Sequence, residues 1–179
     1  MKTTKINLKE ATNYEIPNDV ILETYCNDDN EEIKYEGRPA MLVLPGGGYE
    51  WCSRREGEPI ALRFMAEGFN CFVLFYSCRR SYPLPHFEVA IAMQYINEHA
   101  EEFNVKKGCV SIAGFSAGGH LAASYGYTYK NFINELNSDG KTIKPFSIIW
   151  SSITTFTFVN TITMSPIFYG KIIKIFYIL

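Results

Sequence analysis

Acid runs out early in this chain. Of its 179 residues, none after Asp139 is aspartate or glutamate, and none after His120 is histidine. Only three histidines occur at all, at positions 86, 99 and 120. The five cysteines (Cys26, Cys52, Cys71, Cys78, Cys109) are odd in number and contain no C-x-x-C spacing. Such a set suits neither a disulfide framework nor a zinc site, so no metal is expected. Cys71 and Cys109 lie in apolar runs and are expected to be buried. The first 19 residues, MKTTKINLKEATNYEIPND, lack the apolar core of a signal peptide. Together with the cysteine usage this points to a reducing cytoplasm. A basic stripe is missing too. The net charge is −2, and Arg54-Arg55, Arg79-Arg80 and Lys106-Lys107 are isolated pairs, read as solvated. Nucleic acid is therefore not an expected partner.

Charge is also missing from Pro145–Gly170, for 26 residues. That exceeds the ~20 apolar residues that span a bilayer. The segment is nevertheless rich in Ser and Thr and holds Asn160 and Pro166, so it does not read as a membrane span. Up to position 139 there are 13 Lys/Arg against 19 Asp/Glu; beyond it there are four lysines and no acid. The tail thus differs in kind from the body.

What is present is an alternating pattern. Val20–Tyr25 is a short strand candidate in an otherwise polar stretch, 1–37, and the acidic run Asn27–Glu32 reads as a turn. Met41–Leu44 is a short apolar run that ends in Pro45-Gly46-Gly47-Gly48, as a strand buried on both faces does. A helix follows, with Ser53 and Glu56 at capping-box spacing, Pro59 in the first turn and Gly68 at the end. Its apolar face is Ile60, Ala61, Phe64 and Met65. Cys71–Tyr76 is the next buried strand, Ser77–Pro85 a loop, and Phe87–Phe103 a longer helix. The apolar side of that helix is Val89, Ala92, Met93, Ile96, Ala100 and Phe103. Cys109–Ala113 is a third strand, Leu121–Tyr125 continues as helix, and Phe146–Ser152 is a candidate fourth core strand. Strands alternating with helices predict an α/β fold, a mostly parallel sheet with helices on both faces. Right-handed crossovers then bring the loops after the strands to one edge, where ligands bind.

Two glycine motifs fall on that edge. The stronger is Gly114-Phe115-Ser116-Ala117-Gly118, the Gly-x-Ser-x-Gly pattern of a nucleophile elbow. A serine hydroxyl is a weak nucleophile and needs activation. A tight strand-to-helix turn lifts Ser116 above the sheet, and glycines at 114 and 118 leave room for it. The N–H of Ala117, at the start of a helix, is then a donor for an oxyanion. The bland alternative is a glycine-rich helix start with an idle serine. Gly46-Gly47-Gly48 follows an earlier strand, where a second oxyanion donor belongs; here the alternative is a plain glycine turn. His120 lies four residues after Ser116 and should point along the helix flank, in a structural role. His86, read as part of a loop at the active edge, is the better substitute base. His99 is read as a surface residue, and Glu135 and Asp139 as solvated.

The segments 44–77 (LPGGGYEWCSRREGEPIALRFMAEGFNCFVLFYS), 82–103 and 110–126 (VSIAGFSAGGHLAASYG) together resemble the α/β-hydrolase superfamily. More narrowly, they resemble the small bacterial esterases described as acetyl-esterase or acetylxylan-esterase-like. The resemblance covers roughly residues 15–153 and implies a three-layer α/β-hydrolase-type fold whose C-terminal part is incomplete. It implies Ser116 as nucleophile, with Gly47, Gly48 and Ala117 supplying the oxyanion backbone. The activity it implies is hydrolysis of small acyl esters, acetyl esters of carbohydrates foremost, without a cofactor. Two departures stand out. Pro45 occupies a place where many relatives have histidine, and the Asp and His that relatives carry after later strands have no counterpart here.

The domain reading is accordingly an N-terminal part of a hydrolase domain at 1–153 and a divergent tail at 154–179. The tail's biased composition suggests a premature end or a shifted reading frame. The expected partner is a small-molecule ester. A sheet cut short would leave apolar edges and faces exposed, so self-association is expected as well. The competing expectation is a catalytically impaired fragment, lacking base and acid.

Overall fold

The computed structural model describes residues 1–32, 37–136 and 147–151. Its centre is a six-stranded sheet in the order β1-β2-β4-β3-β5-β6. The strands are β1 (Lys2–Asn7), β2 (Ile21–Cys26), β3 (Arg38–Leu44), β4 (Asn70–Phe75), β5 (Val105–Phe115) and β6 (Ser147–Ser151). β4, β3, β5 and β6 run parallel, while β1 and β2 add an antiparallel ribbon at the β4 side. The helices are α1 (Leu8–Ala11), α2 (Glu58–Ala66), α3 (Leu84–Glu98) and α4 (Ala117–Leu136), with a 3₁₀ turn at Arg54–Glu56.

Successive strand side chains point to opposite faces, and each face of this sheet is covered. Leu42 and Leu44 of β3, Phe72 and Leu74 of β4, and Ile112 of β5 pack with α3 and α4 in one core. Their neighbours Met41, Val43, Cys71, Val73 and Ala113 pack with α2 in a second core. This is why the strands read as unbroken apolar runs rather than as alternation. The expected three layers and mostly parallel sheet are present, and β6 stands where the fourth core strand was expected. The tail beyond Ser151, with the 154–179 reading, lies outside the described residues.

Several local expectations need correction. β1 was not anticipated: KTTKIN offers no apolar contrast, because this edge strand is largely exposed. Ser53 does begin a helical turn, but it caps the 3₁₀ segment and makes no side-chain cap bond. α2 starts five residues later, with Pro59 at its second position. Its end is as expected. Gly68 has φ +93°, and the pair Phe69 N–H to Phe64 O (3.2 Å) and Gly68 N–H to Met65 O (2.9 Å) is a Schellman closure. α3 begins at Leu84 rather than Phe87, so His86 is helical and buried. Cys71 is buried as expected, whereas Cys109 is only half-buried.

Among the described residues no helix is long and apolar enough to cross a membrane.

One buried polar residue ties the far edge of the sheet together. Asn70, fully buried at the start of β4, donates to the carbonyls of Phe103 (2.6 Å) and Asn104 (3.1 Å). Its own carbonyl accepts from Asn27 N–H (2.9 Å). Replacing it removes all three bonds, and the buried Phe103 carbonyl loses its Asn70 donor. Asn70→Ala is expected to lower unfolding free energy by about 2 kcal/mol, read from urea midpoints with unchanged m-value.

Candidate active site

Register places the site. β3 and β5 pair in parallel with Leu44 opposite Gly114, so two residues further on Gly46 faces Ser116. Ser116 connects β5 directly to α4 with φ +50°, a left-handed value that a non-glycine residue adopts only under constraint. Its carbonyl accepts the first helical bond, from His120 N–H at 3.0 Å, and the residue is exposed. The turn is a strand-to-helix corner with its serine at the apex.

Two glycines make the corner sterically feasible. A Cβ on Gly114 would lie 2.2 Å from Gly118 O, and one on Gly118 would lie 2.1 Å from Leu44 O. Both obstacles are main chain and cannot swing aside. Gly46 is the third close contact. A Cβ there would come within 2.5 Å of Phe115 O and 2.9 Å of Ser116 Cβ. In the sequence Gly46 is one of a run of three glycines; its closeness to the serine depends on strand register, which no local signal carries.

The bend after β3 is held from several sides. Gly47 has φ +131° and folds under Trp51 O; Gly48 has φ +65° and faces open space. Ser53 N–H returns to Gly46 O (2.8 Å), and Tyr76 donates its hydroxyl to Pro45 O (2.7 Å). Glu56 accepts from Gly46 N–H at 2.7 Å. This is the carboxylate that the sequence placed in a capping box. Glu56 is carried by the 3₁₀ turn, which the buried Glu23 anchors through Arg54 (2.9 Å). Burial pushes the Glu23 carboxyl up, but hydrogen bonds from Lys5, Arg54 and Tyr25 outweigh it and hold it below the usual range. Gly46 N–H is thus engaged by Glu56, while Ala117, directly after Ser116, is the first residue of α4.

The histidines take other roles. His120 is exposed, and its Nδ1 lies 2.8 Å from the Tyr49 hydroxyl. Burial raises the Tyr49 pKa to about 12, so the phenol keeps its proton. The contact joins the glycine bend to α4, in keeping with the structural role expected. His86, expected at the active edge, instead sits between α3 and α4 with Nε2 2.8 Å from Ser124 Oγ. The Ser124 hydroxyl donates to His120 O (2.8 Å), so it accepts from His86. Burial, with His120 nearby, pushes His86 down to about 4. It is a buried neutral histidine and not the substitute base. His99, expected on the surface, is half-buried with Nδ1 2.9 Å from Tyr95 O. Glu135 falls within α4, and Asp139 lies outside the described residues. Among the described residues no group of three or more His, Cys, Asp or Glu is placed to hold a metal.

Comparison with known proteins gives the family and the fold. The chain belongs to the BD-FAE family, whose model matches residues 24–165, running past the expected boundary at 153. It is 37% identical over 117 residues to endo-1,4-beta-xylanase B of Butyrivibrio fibrisolvens, covering 63% of this chain and 18% of that one. It is 32% identical over 92 residues to an acetylxylan esterase of Xylanibacter ruminicola, covering 47% of this chain and again 18% of the relative. Among solved structures it resembles MGS-M1, an α/β hydrolase enzyme from a Medee basin deep-sea metagenome library. That match has TM-score 0.65 and 34% identity, with 91% of this chain and 62% of that chain covered. The chain therefore spans about a fifth of these two curated relatives and has the α/β-hydrolase fold.

Two outcomes follow from the packing. Gly118→Ala forces Leu44 O and α4 apart and is expected to cost about 1–3 kcal/mol, measured by urea unfolding. His86 binds its proton less readily folded than unfolded. Its contribution to stability is therefore complete above about pH 6.5 and lost as pH falls toward 4. His86→Gln should remove that share of the acid sensitivity, seen as a smaller drop in urea midpoint between pH 7 and pH 4.5.

Proposed function

We propose that this chain carries the nucleophile and oxyanion side of a serine ester hydrolase that acts on small acyl esters, acetyl esters of carbohydrates foremost. The observation that carries the reading is Ser116 itself: exposed, at φ +50°, on a strand-to-helix corner against which Gly46 is packed. In this mechanism Ser116 Oγ attacks the ester carbonyl, and the proton it loses ends on the departing alcohol. The amides of Ala117, Gly47 and Gly48 hold the tetrahedral oxyanion, the alcohol departs, and water then releases the acid. The substrate class rests on likeness to proteins named as acetylxylan esterase and xylanase, and on the family match.

A second reading has its own observation. In the order usual for this fold, acid and histidine follow the serine. Here no acid follows Asp139 and no histidine follows His120. The 179-residue chain by itself is then a weak catalyst, although binding and oxyanion stabilisation alone can retain about 10³–10⁴-fold over water.

The test compares this chain with its Ser116→Ala variant on a short activated acetyl ester and with a fluorophosphonate probe. On the hydrolase reading, the wild type turns over the ester and the probe labels Ser116; the variant loses both. Weak turnover with slow, Ser116-dependent labelling supports the second reading. Equal activity of wild type and variant, in protein shown folded by circular dichroism, overturns the assignment of Ser116.

A further inference from the structure

Cys52 and Cys78 come from chain segments 26 residues apart, yet their Sγ atoms lie 3.7 Å apart. The sulfurs are thus close to van der Waals contact, and a disulfide needs them at about 2.05 Å. Both are half-buried, so a small reagent has access to them. Neither segment is loosely held. Cys52 lies between Gly47, folded under Trp51 O, and Ser53, whose N–H is bonded to Gly46 O. Cys78 follows Ser77, whose N–H (2.7 Å) and hydroxyl (2.5 Å) both donate to the buried Glu88 carboxylate. On its other side, Arg79 N–H donates to Tyr49 O (2.7 Å), and its guanidinium pairs with Glu50 (2.8 Å). The fold therefore presents the two thiols to one another across the seam between the glycine bend and the chain after β4.

We propose that Cys52 and Cys78 form a dithiol–disulfide couple that closes on reaction with a low-molecular-weight disulfide of the glutathione class. Closure fastens the glycine bend to the segment that follows β4. The Cys78 thiol loses its proton and attacks one sulfur of the small disulfide. A mixed disulfide forms, and one small thiolate leaves. Cys52 Sγ then loses its proton, attacks Cys78 Sγ and expels the second small thiolate. Two protein thiols are oxidised by two electrons, one small disulfide is reduced to two thiols, and the protons end on those thiols or in solvent. The second step is intramolecular between sulfurs already in contact, so the mixed disulfide is short-lived. Burial raises both thiols, which makes the first attack slow at neutral pH. Their mutual contact raises Cys52 further and lowers Cys78, which sets the order of the steps. Neither Ser116 nor an ester takes part, so the couple stands or falls apart from the hydrolase reading.

The experiment treats the full chain with oxidised glutathione, quenches with acid and alkylating reagent, and maps peptides without reduction. Chymotryptic cleavage separates Cys71 from Cys78. The expected result is a linked pair containing Cys52 and Cys78 and a free-thiol count that falls from five to three, reversed by dithiothreitol. The thermal midpoint is expected to rise by about 5 °C on oxidation, because a loop is closed in the unfolded chain. Cys52→Ser should stop at a glutathione adduct on Cys78, and Cys71→Ser should still close. Linkage between other cysteines or between chains, a wild type that halts at the mixed disulfide, or an oxidised form with an unchanged or lower midpoint overturns the proposal. Should a serine variant fail to fold, the wild-type peptide map decides alone.

Discussion

The parallel pairing of β3 with β5 is the constraint on which the rest depends. Leu44 opposite Gly114 fixes where both strands stop, and both chains then turn out of the sheet at the same place. The close approach of Gly118 to Leu44 O allows no slack between them. A slip of one residue would send each apolar side chain to the other face and would also part Gly46 from Ser116. Core formation and site formation are thus the same event in this molecule. The two apolar layers, one with α3 and α4 and one with α2, hold the register that aligns the corner.

The polar residues around the corner work on the loops and not on the sheet. Glu23 anchors Arg54, the 3₁₀ turn positions Glu56, and Glu56 holds Gly46. On the other flank Glu88 holds Ser77, and Tyr76 holds Pro45. Burial pushes the Glu88 carboxyl up, while its bonds from Ser77 pull it back. Bends that have to be irregular are thereby given definite shapes by side chains from regular elements. Tyr49 adds the link across to α4 through His120.

The sheet's centre was legible because its strands are buried twice over. Met41–Leu44, Cys71–Tyr76 and Cys109–Ala113 are short apolar runs bounded by turn residues, and each lies within β3, β4 or β5 or overruns one by a single residue. The corner was legible because Gly-x-Ser-x-Gly is a local pattern whose glycines answer a local steric need. What escaped had no local signature. β1 is a polar edge strand whose partner lies about 20 residues on. His86 looked like a loop residue because two prolines precede it, yet proline is tolerated in a first helical turn and α3 begins there. Glu56 has capping spacing, but its carboxylate reaches across to Gly46 instead. Cys52 and Cys78 are two of five cysteines without pattern in the sequence, and only the fold sets them side by side.

Glu56 has one more effect. Its carboxylate oxygen stands next to Gly46, on the same side as the Ser116 Cβ. The amide of the glycine packed on Ser116 is thereby spent on the scaffold, by a side chain ten residues further along the chain. Shortening that side chain would release the bend and free a main-chain donor at the corner in one stroke.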